Sequence, residues 1–199
     1  MRAPSRPSAL RAAFLAAFFF LGFLGGCASL SPRELLNPRD LAVTYQPAPG
    51  SAEFQRLGLE KTPSVVVLKV DGDDVQSNIR TISQALLRKG YSVRDYGVAL
   101  EELAKSGLLH RKPLDPETIQ RASRVFTEAA AVAGTVEVLQ MEPLNAQLSL
   151  AWIDLRTGKI LWTAKAAYSG YAFGGANRYD EAVRDMIGKL LEPIPPYKP

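Results

Sequence analysis

Cysteine occurs once in the 199 residues, at position 27. No intramolecular disulfide can form, and no second thiol is available for redox exchange or a thiolate metal site. Histidine is as scarce: His110, in GLLHRKPLD, is alone. A catalytic imidazole needs a nucleophile or an orienting carboxylate, and metal-binding histidines rarely come singly. His110 is therefore expected to be a solvated loop residue. The chain has no GxSxG, HExxH, GxxxxGK[ST] or Ser-x-x-Lys pattern, which removes the sequence basis for hydrolase, zinc-protease or nucleotide chemistry. The acidic stretch Asp71-Gly72-Asp73-Asp74 lacks EF-hand spacing and a distal Glu. Asp73 or Asp74 is better placed as a helix cap, accepting from exposed N–H groups. Glu101 and Glu102 are neighbours on a helix, diverge in direction and are expected on a solvated face. The sequence thus predicts a non-enzyme with no cofactor and no metal.

Long apolar runs are also missing, with one exception. Ala12 to Leu24 is unbroken and carries five phenylalanines, behind Arg2, Arg6 and Arg11 and without an acidic residue. Thirteen residues suit a secretory h-region, whereas crossing a bilayer takes roughly 20. The small residues Gly25 and Gly26 then precede Cys27. This junction resembles the bacterial lipobox, which implies cleavage after residue 26 and lipidation of Cys27. The thiol would sit where apolar chain meets polar chain, and several acyl chains at about 0.8 kcal/mol per buried CH₂ would hold it firmly. Ala28 rather than Asp comes next, which by resemblance to the enterobacterial sorting rule implies the outer membrane.

Removing this leader takes the 24 basic residues to 21, against 20 acidic ones, a net charge of +1. The basic balance of the precursor belongs mostly to its leader, and the clustered excess that nucleic acid requires is absent. No nucleic-acid partner is expected.

The remainder divides at composition changes. Residues 27–62 are punctuated by Pro32, Pro38, Pro47, Pro49 and Gly50 and are expected to be a lipidated tether or a loosely packed arm, or equally an arm packed on the domain through the apolar Leu35, Leu36, Leu41, Val43 and Tyr45. Residues 63–192 carry the domain, and 193–199 a proline-rich tail. Within the domain, SVVVLKV (64–70) has the β-branched run of a strand buried on both faces. A helix with Val75, Ile79, Ile82 and Leu86 on one stripe succeeds it, then YSVRDY (91–96) as a short strand and a short helix over 98–107. Asp115 and Pro116 open a helix predicted over 115–131, with the next strand at 133–141. EPLN makes a tight connection. Strands 146–155 and 159–168 alternate at period two around a turn with Gly158, which places Trp152 across from Trp162. A helix with Tyr179, Met186 and Leu190 closes the domain. The order β-α-β-α-α-β-β-β-α predicts a single mixed-sheet α/β sandwich.

Three stretches carry a family resemblance: ALLRKGYSVRDY (85–96), DPETIQRASRVFTEAAAVAGTVEV (115–138) and IDLRTGKILW (153–162). Together with the lipobox they are similar to a superfamily that includes the curli-secretion lipoprotein, the amino-terminal domain of the Tol translocation protein and lipoprotein activators of penicillin-binding proteins. Gly134-Thr135-Val136, Asp154, Thr157, Gly158, Leu161 and Trp162 match the superfamily's strand-and-hairpin phrase. The resemblance spans residues 64–190 and implies fold and envelope address. It does not extend to pore formation, because EPLN leaves no segment for membrane hairpins.

The stretch SGYAFGGANRY (169–179) gathers Tyr171, Phe173 and Tyr179 around Gly174 and Gly175. Such rings on adaptable backbone either form a partner-binding surface or close the end of the sheet. The functional expectation is a non-catalytic outer-membrane lipoprotein. Its periplasmic domain would bind another envelope protein and support envelope assembly or transport, with homo-oligomerisation open. The alternatives are a self-assembling ring subunit of a secretion complex and a glycan-binding or hydrolytic envelope protein.

Overall fold

The computed structural model describes residues 39–72, 77–141, 143–170 and 177–199. Its strands are β1 (Arg39–Gln46), β2 (Ser64–Asp71), β3 (Ser92–Val93), β4 (Ala130–Met141), β5 (Leu144–Asp154) and β6 (Lys159–Gly170). The helices are α1 (Ala52–Arg56), α2 (Ser77–Arg88), α3 (Tyr96–Lys105), α4 (Pro116–Val125) and α5 (Asn177–Leu191), with a 3₁₀ turn at Leu59–Lys61.

The six strands form one open sheet in the order β1-β6-β5-β4-β2-β3. β2 runs parallel to β3 and β4, and the remaining pairs are antiparallel. This is the mixed α/β arrangement the sequence predicts, with one strand added at the front. Burial obeys the pattern that forms it. In β2, Val65, Val67 and Val70 enter the core under α2 and α5, while Val66 and Leu68 enter a second core under α3 and α4. A strand covered on both faces tolerates no polar alternation, hence the valine run. Asp115 accepts from the Thr118 N–H and Pro116 opens α4, as its sequence requires.

The structure adds detail to the two ends of the domain and the cover of the sheet, and corrects one helix. Residues 39–46, placed in the tether, are a full strand paired residue for residue with β6. Leu41, Val43 and Tyr45 alternate apolar inward and pack on the core, a period-two signal overshadowed by the prolines around it. The 193–199 tail is docked onto the body: Ile194 is 1% exposed, the Tyr197 N–H donates to the Lys89 carbonyl and the Lys198 N–H to the Glu60 carbonyl. The helix predicted to reach residue 131 stops at Val125, with Phe126 already extended. Alanine favours helix locally, but Ala130 and Ala131 pair with Val65 and Val66 of β2, and long-range pairing prevails over propensity. The sandwich is also incomplete. Ala131, Ala133, Ala151 and Ile153 lie under α3 and α4, whereas Ala42, Thr44, Lys165, Ala167 and Gln147 on the same face are exposed.

The hairpin between β5 and β6 closes with Gly158 at φ +66°, and Trp152 stands across from Trp162 as the turn predicts. Each indole takes a further aromatic neighbour. Trp162 stacks on Tyr45 at 6.0 Å, and Trp152 meets Tyr91 edge-on at 5.5 Å. The added strand β1 therefore supplies part of the aromatic core.

Candidate functional site

One end of the sheet gathers several features. Gly170, the last residue of β6, pairs with Arg39 on one side and Leu144 on the other. Met141 pairs with Leu144 across the β4–β5 turn. Three chain segments thus meet in one row. Beside them the hairpin tip leaves Leu139 61% and Met141 64% exposed, with Val138 also open. Large apolar side chains this accessible, adjacent in one strand, are the kind of surface a partner covers. A register shift lies between Val138 and Gln140, and the whole run Glu137–Met141 is exposed.

Of the residues singled out in sequence, Tyr171, Phe173, Gly174 and Gly175 lie outside the described residues, as do Cys27, Asp73, Asp74 and Val75. The 171–176 segment leaves from Gly170, and so begins at that same row. Tyr179, in the first turn of α5, is half-buried against the α2/α5 core. Leu139 and Met141 escape a reading of the sequence. Their signal is present, an apolar pair in a strand predicted to end at 141, but exposure depends on what covers the end of that strand.

The chemistry available elsewhere is limited. His110 is exposed in the turn region after α3. Among the described residues no group of three or more His, Cys, Asp or Glu side chains lies together as a metal site would need. An open groove of about 870 Å³ runs between α4 and the β5–β6 turn, past Gln120, Arg124, Arg156 and Ile160. Its one carboxylate, Glu117, is tied to Arg111 and Arg121 at 2.8 Å each. The Arg111 hydrogen bond and the two guanidinium charges hold it below the usual carboxylate range. A general acid near neutral pH needs the opposite shift. Asp154 serves the turn: burial would raise its pKa, but bonds from the Arg156 N–H and the Thr157 hydroxyl outweigh this and hold it low.

Glu102 corrects another expectation. Glu101 is solvated and paired with Lys105, but Glu102 turns inward and meets Arg94 at 3.1 Å. Arg94 also reaches Glu128 at 2.6 Å and lies over the Phe126 ring at 5.7 Å. The Glu128 hydrogen bond raises the Arg94 pKa against desolvation, keeping the guanidinium charged. Arg94 and Glu128 are 34 positions apart in sequence, so no local motif announces the cluster. These side chains clamp α3 to the β3 and β4 ends of the sheet. One cation against two carboxylates makes a structural tie, with no nucleophile beside it.

No protein-family model matches the chain, and neither does any curated protein. Solved structures are similar in fold. A PelC dodecamer from Paraburkholderia phytofirmans aligns at 17% identity and a TM-score of 0.49, covering 80% of this chain and all of that one. Lipoprotein GNA1162 from Neisseria meningitidis aligns at 17% identity and 0.42, over 65% of this chain and 97% of that chain. LpoB from E. coli aligns at 16% identity and 0.42, over 55% of this chain and 57% of that one. GNA1162 is a lipoprotein by name. All three likenesses stay under a TM-score of 0.5 and assign the chain no activity.

Proposed function

We propose that this chain is a lipid-anchored accessory protein of the bacterial envelope, held at the outer membrane through Cys27, with a periplasmic domain that binds another envelope protein and performs no catalysis. The observation that carries the reading is the leader, an Arg-flanked apolar run of secretory length ending in Gly-Gly before a sole cysteine. The sheet end presenting Leu139 and Met141 supplies an apolar docking surface for the partner. Tethering is the mechanism: an anchor that confines the domain to one membrane raises its effective concentration toward a partner within reach. Among the described residues no helix is long and apolar enough to cross a membrane.

Metabolic labelling with palmitate tests the anchor. Label should enter the wild-type protein and vanish in Cys27→Ser, with globomycin blocking processing. A mature protein bearing an unmodified thiol, or still carrying residues 1–26, would end the proposal. For the partner, a photoreactive residue at Met141 or Phe173 should capture one envelope protein in cells that the same probe at Gln120 does not.

A further inference from the structure

The two edges of the sheet are built differently. At one, β3 contributes only Ser92 and Val93 before Arg94 joins its ion pairs and Asp95 caps α3. At the other, β1 runs for eight residues, all in continuous register with β6 and without a bulge. Among the described residues nothing pairs with its outer side. Natural edge strands are protected by proline, lysine, bulges or shortness. Leu41 to Gln46 has none of these: it is uncharged and free of proline and glycine.

The side chains show what would fit. Leu41, Val43 and Tyr45 face the helices and are half-buried, while Asp40, Ala42, Thr44 and Gln46 are exposed on the open face. A groove of about 570 Å³ lines the same edge between β1 and α5, past Leu41, Tyr168 and Gly188 and the charged Arg184 and Lys189 of α5. A Cβ on Gly188 would meet nothing within 4 Å, so the groove is open there. Helix-facing side chains of an added strand would meet Leu41 within a mixed apolar and charged lining.

We infer that β1 is a self-association edge, on which a second copy of this chain docks its own β1 antiparallel to continue the sheet. Pairing about Val43 sets Val43 opposite Val43 of the second copy, Leu41 opposite Tyr45, Ala42 opposite Thr44 and Asp40 opposite Gln46. Apolar residues then meet on the helix face, small or polar ones on the open face, and no like charges face each other. A slip of one residue would reverse both faces, so only in-phase registers survive. The arrangement is isologous, and it stops at two copies because the β3 edge is blunt. This goes beyond the accessory role and does not depend on the lipid, although a shared membrane would favour it by concentration.

Oxidative crosslinking of the full chain in mild detergent tests the edge. Opposed strand residues lie about 4.5–5.5 Å apart at Cα, within disulfide reach. Val43→Cys should give several-fold more linked dimer than Ala167→Cys, an exposed position one strand further in. Independently, light scattering should show a dimer for the wild type and a monomer for the double variant Ala42→Lys/Thr44→Lys, whose changes fall on exposed side chains and oppose like charges. A monomeric wild type, a larger ring, equal crosslinking from both positions, or a dimer unmoved by the two lysines would each overturn the assignment.

Discussion

Arg94 shows how much one side chain can hold in a protein without disulfides. Its guanidinium bridges Glu102 and Glu128 and covers Phe126, and Glu128 is 11% exposed. Removing a cation from between two sheltered carboxylates leaves them repelling one another with incomplete solvation. Because Glu102 remains a third exposed, the expected cost of Arg94→Ala lies below that of a fully buried pair, about 2 kcal/mol. Arg94→Lys should recover only part, since a single ammonium cannot reproduce the fork. Urea unfolding checks both: the midpoint should drop with an unchanged slope, and Glu101→Ala should barely move it. Equal effects from Arg94→Ala and Glu101→Ala would show that the clamp holds nothing. The residue types at 94, 102 and 128 are plain in the sequence, but their convergence is not, because it depends on where α3 lands.

Among the elements, β4 is one of those that both cores share, with β2 and β5. Gly134 occupies a position where a Cβ would collide with the Ser149 carbonyl of β5 and lie 2.7 Å from a Leu150 methyl. The Gly-Thr-Val phrase that resembles the superfamily therefore has a packing reason here: β4 and β5 approach too closely for a side chain. Gly134→Ala should destabilise by about 1–3 kcal/mol through overpacking, despite alanine's usual advantage over glycine in the unfolded chain. Thermal unfolding should show a lower Tm, and a raised Tm would mean that the strands separate more easily than this geometry allows. The same strand illustrates the limit of local reading. Ala129 to Ala133 favours helix by composition, and its strand state comes from pairing with β2 sixty-five residues away.

At the scale of the whole molecule, the two ends of the described chain close it. β1 supplies Tyr45 to Trp162, and its hydroxyl donates to the Lys189 carbonyl at 2.8 Å. The tail past α5 supplies Ile194, and the carbonyl of Pro195 accepts from the Tyr91 hydroxyl at 2.8 Å. Burial pushes the Tyr91 pKa upward, so the phenol stays a donor across physiological pH. Ending the chain at Glu192 removes the Ile194 side chain, one of the two carbonyls that accept from Tyr91, the other being that of Leu59, and the Tyr197 ring 6.0 Å from it. Core truncation and lost hydrogen bonds together lead to an expected loss of about 3–5 kcal/mol. Hydrogen exchange should show faster opening of the Leu86–Tyr91 region in the shortened protein. Wild-type protection there would mean the tail rests on the body without supporting it.

By itself the sequence determined the features that spacing and residue type dictate. These are the apolar run before the sole cysteine, the valine strand, the Asp115 cap, the tryptophan pair and the order of elements from residue 64. Each is a short-range pattern, set by neighbours within a few positions. Tertiary structure alone decided the inclusion of β1, the docking of the tail, the shortening of α4, the Arg94 clamp and the exposure of Leu139 and Met141. Those depend on which distant backbone offers hydrogen bonds and which surface remains uncovered once the helices have packed, quantities that no window of neighbouring residues contains.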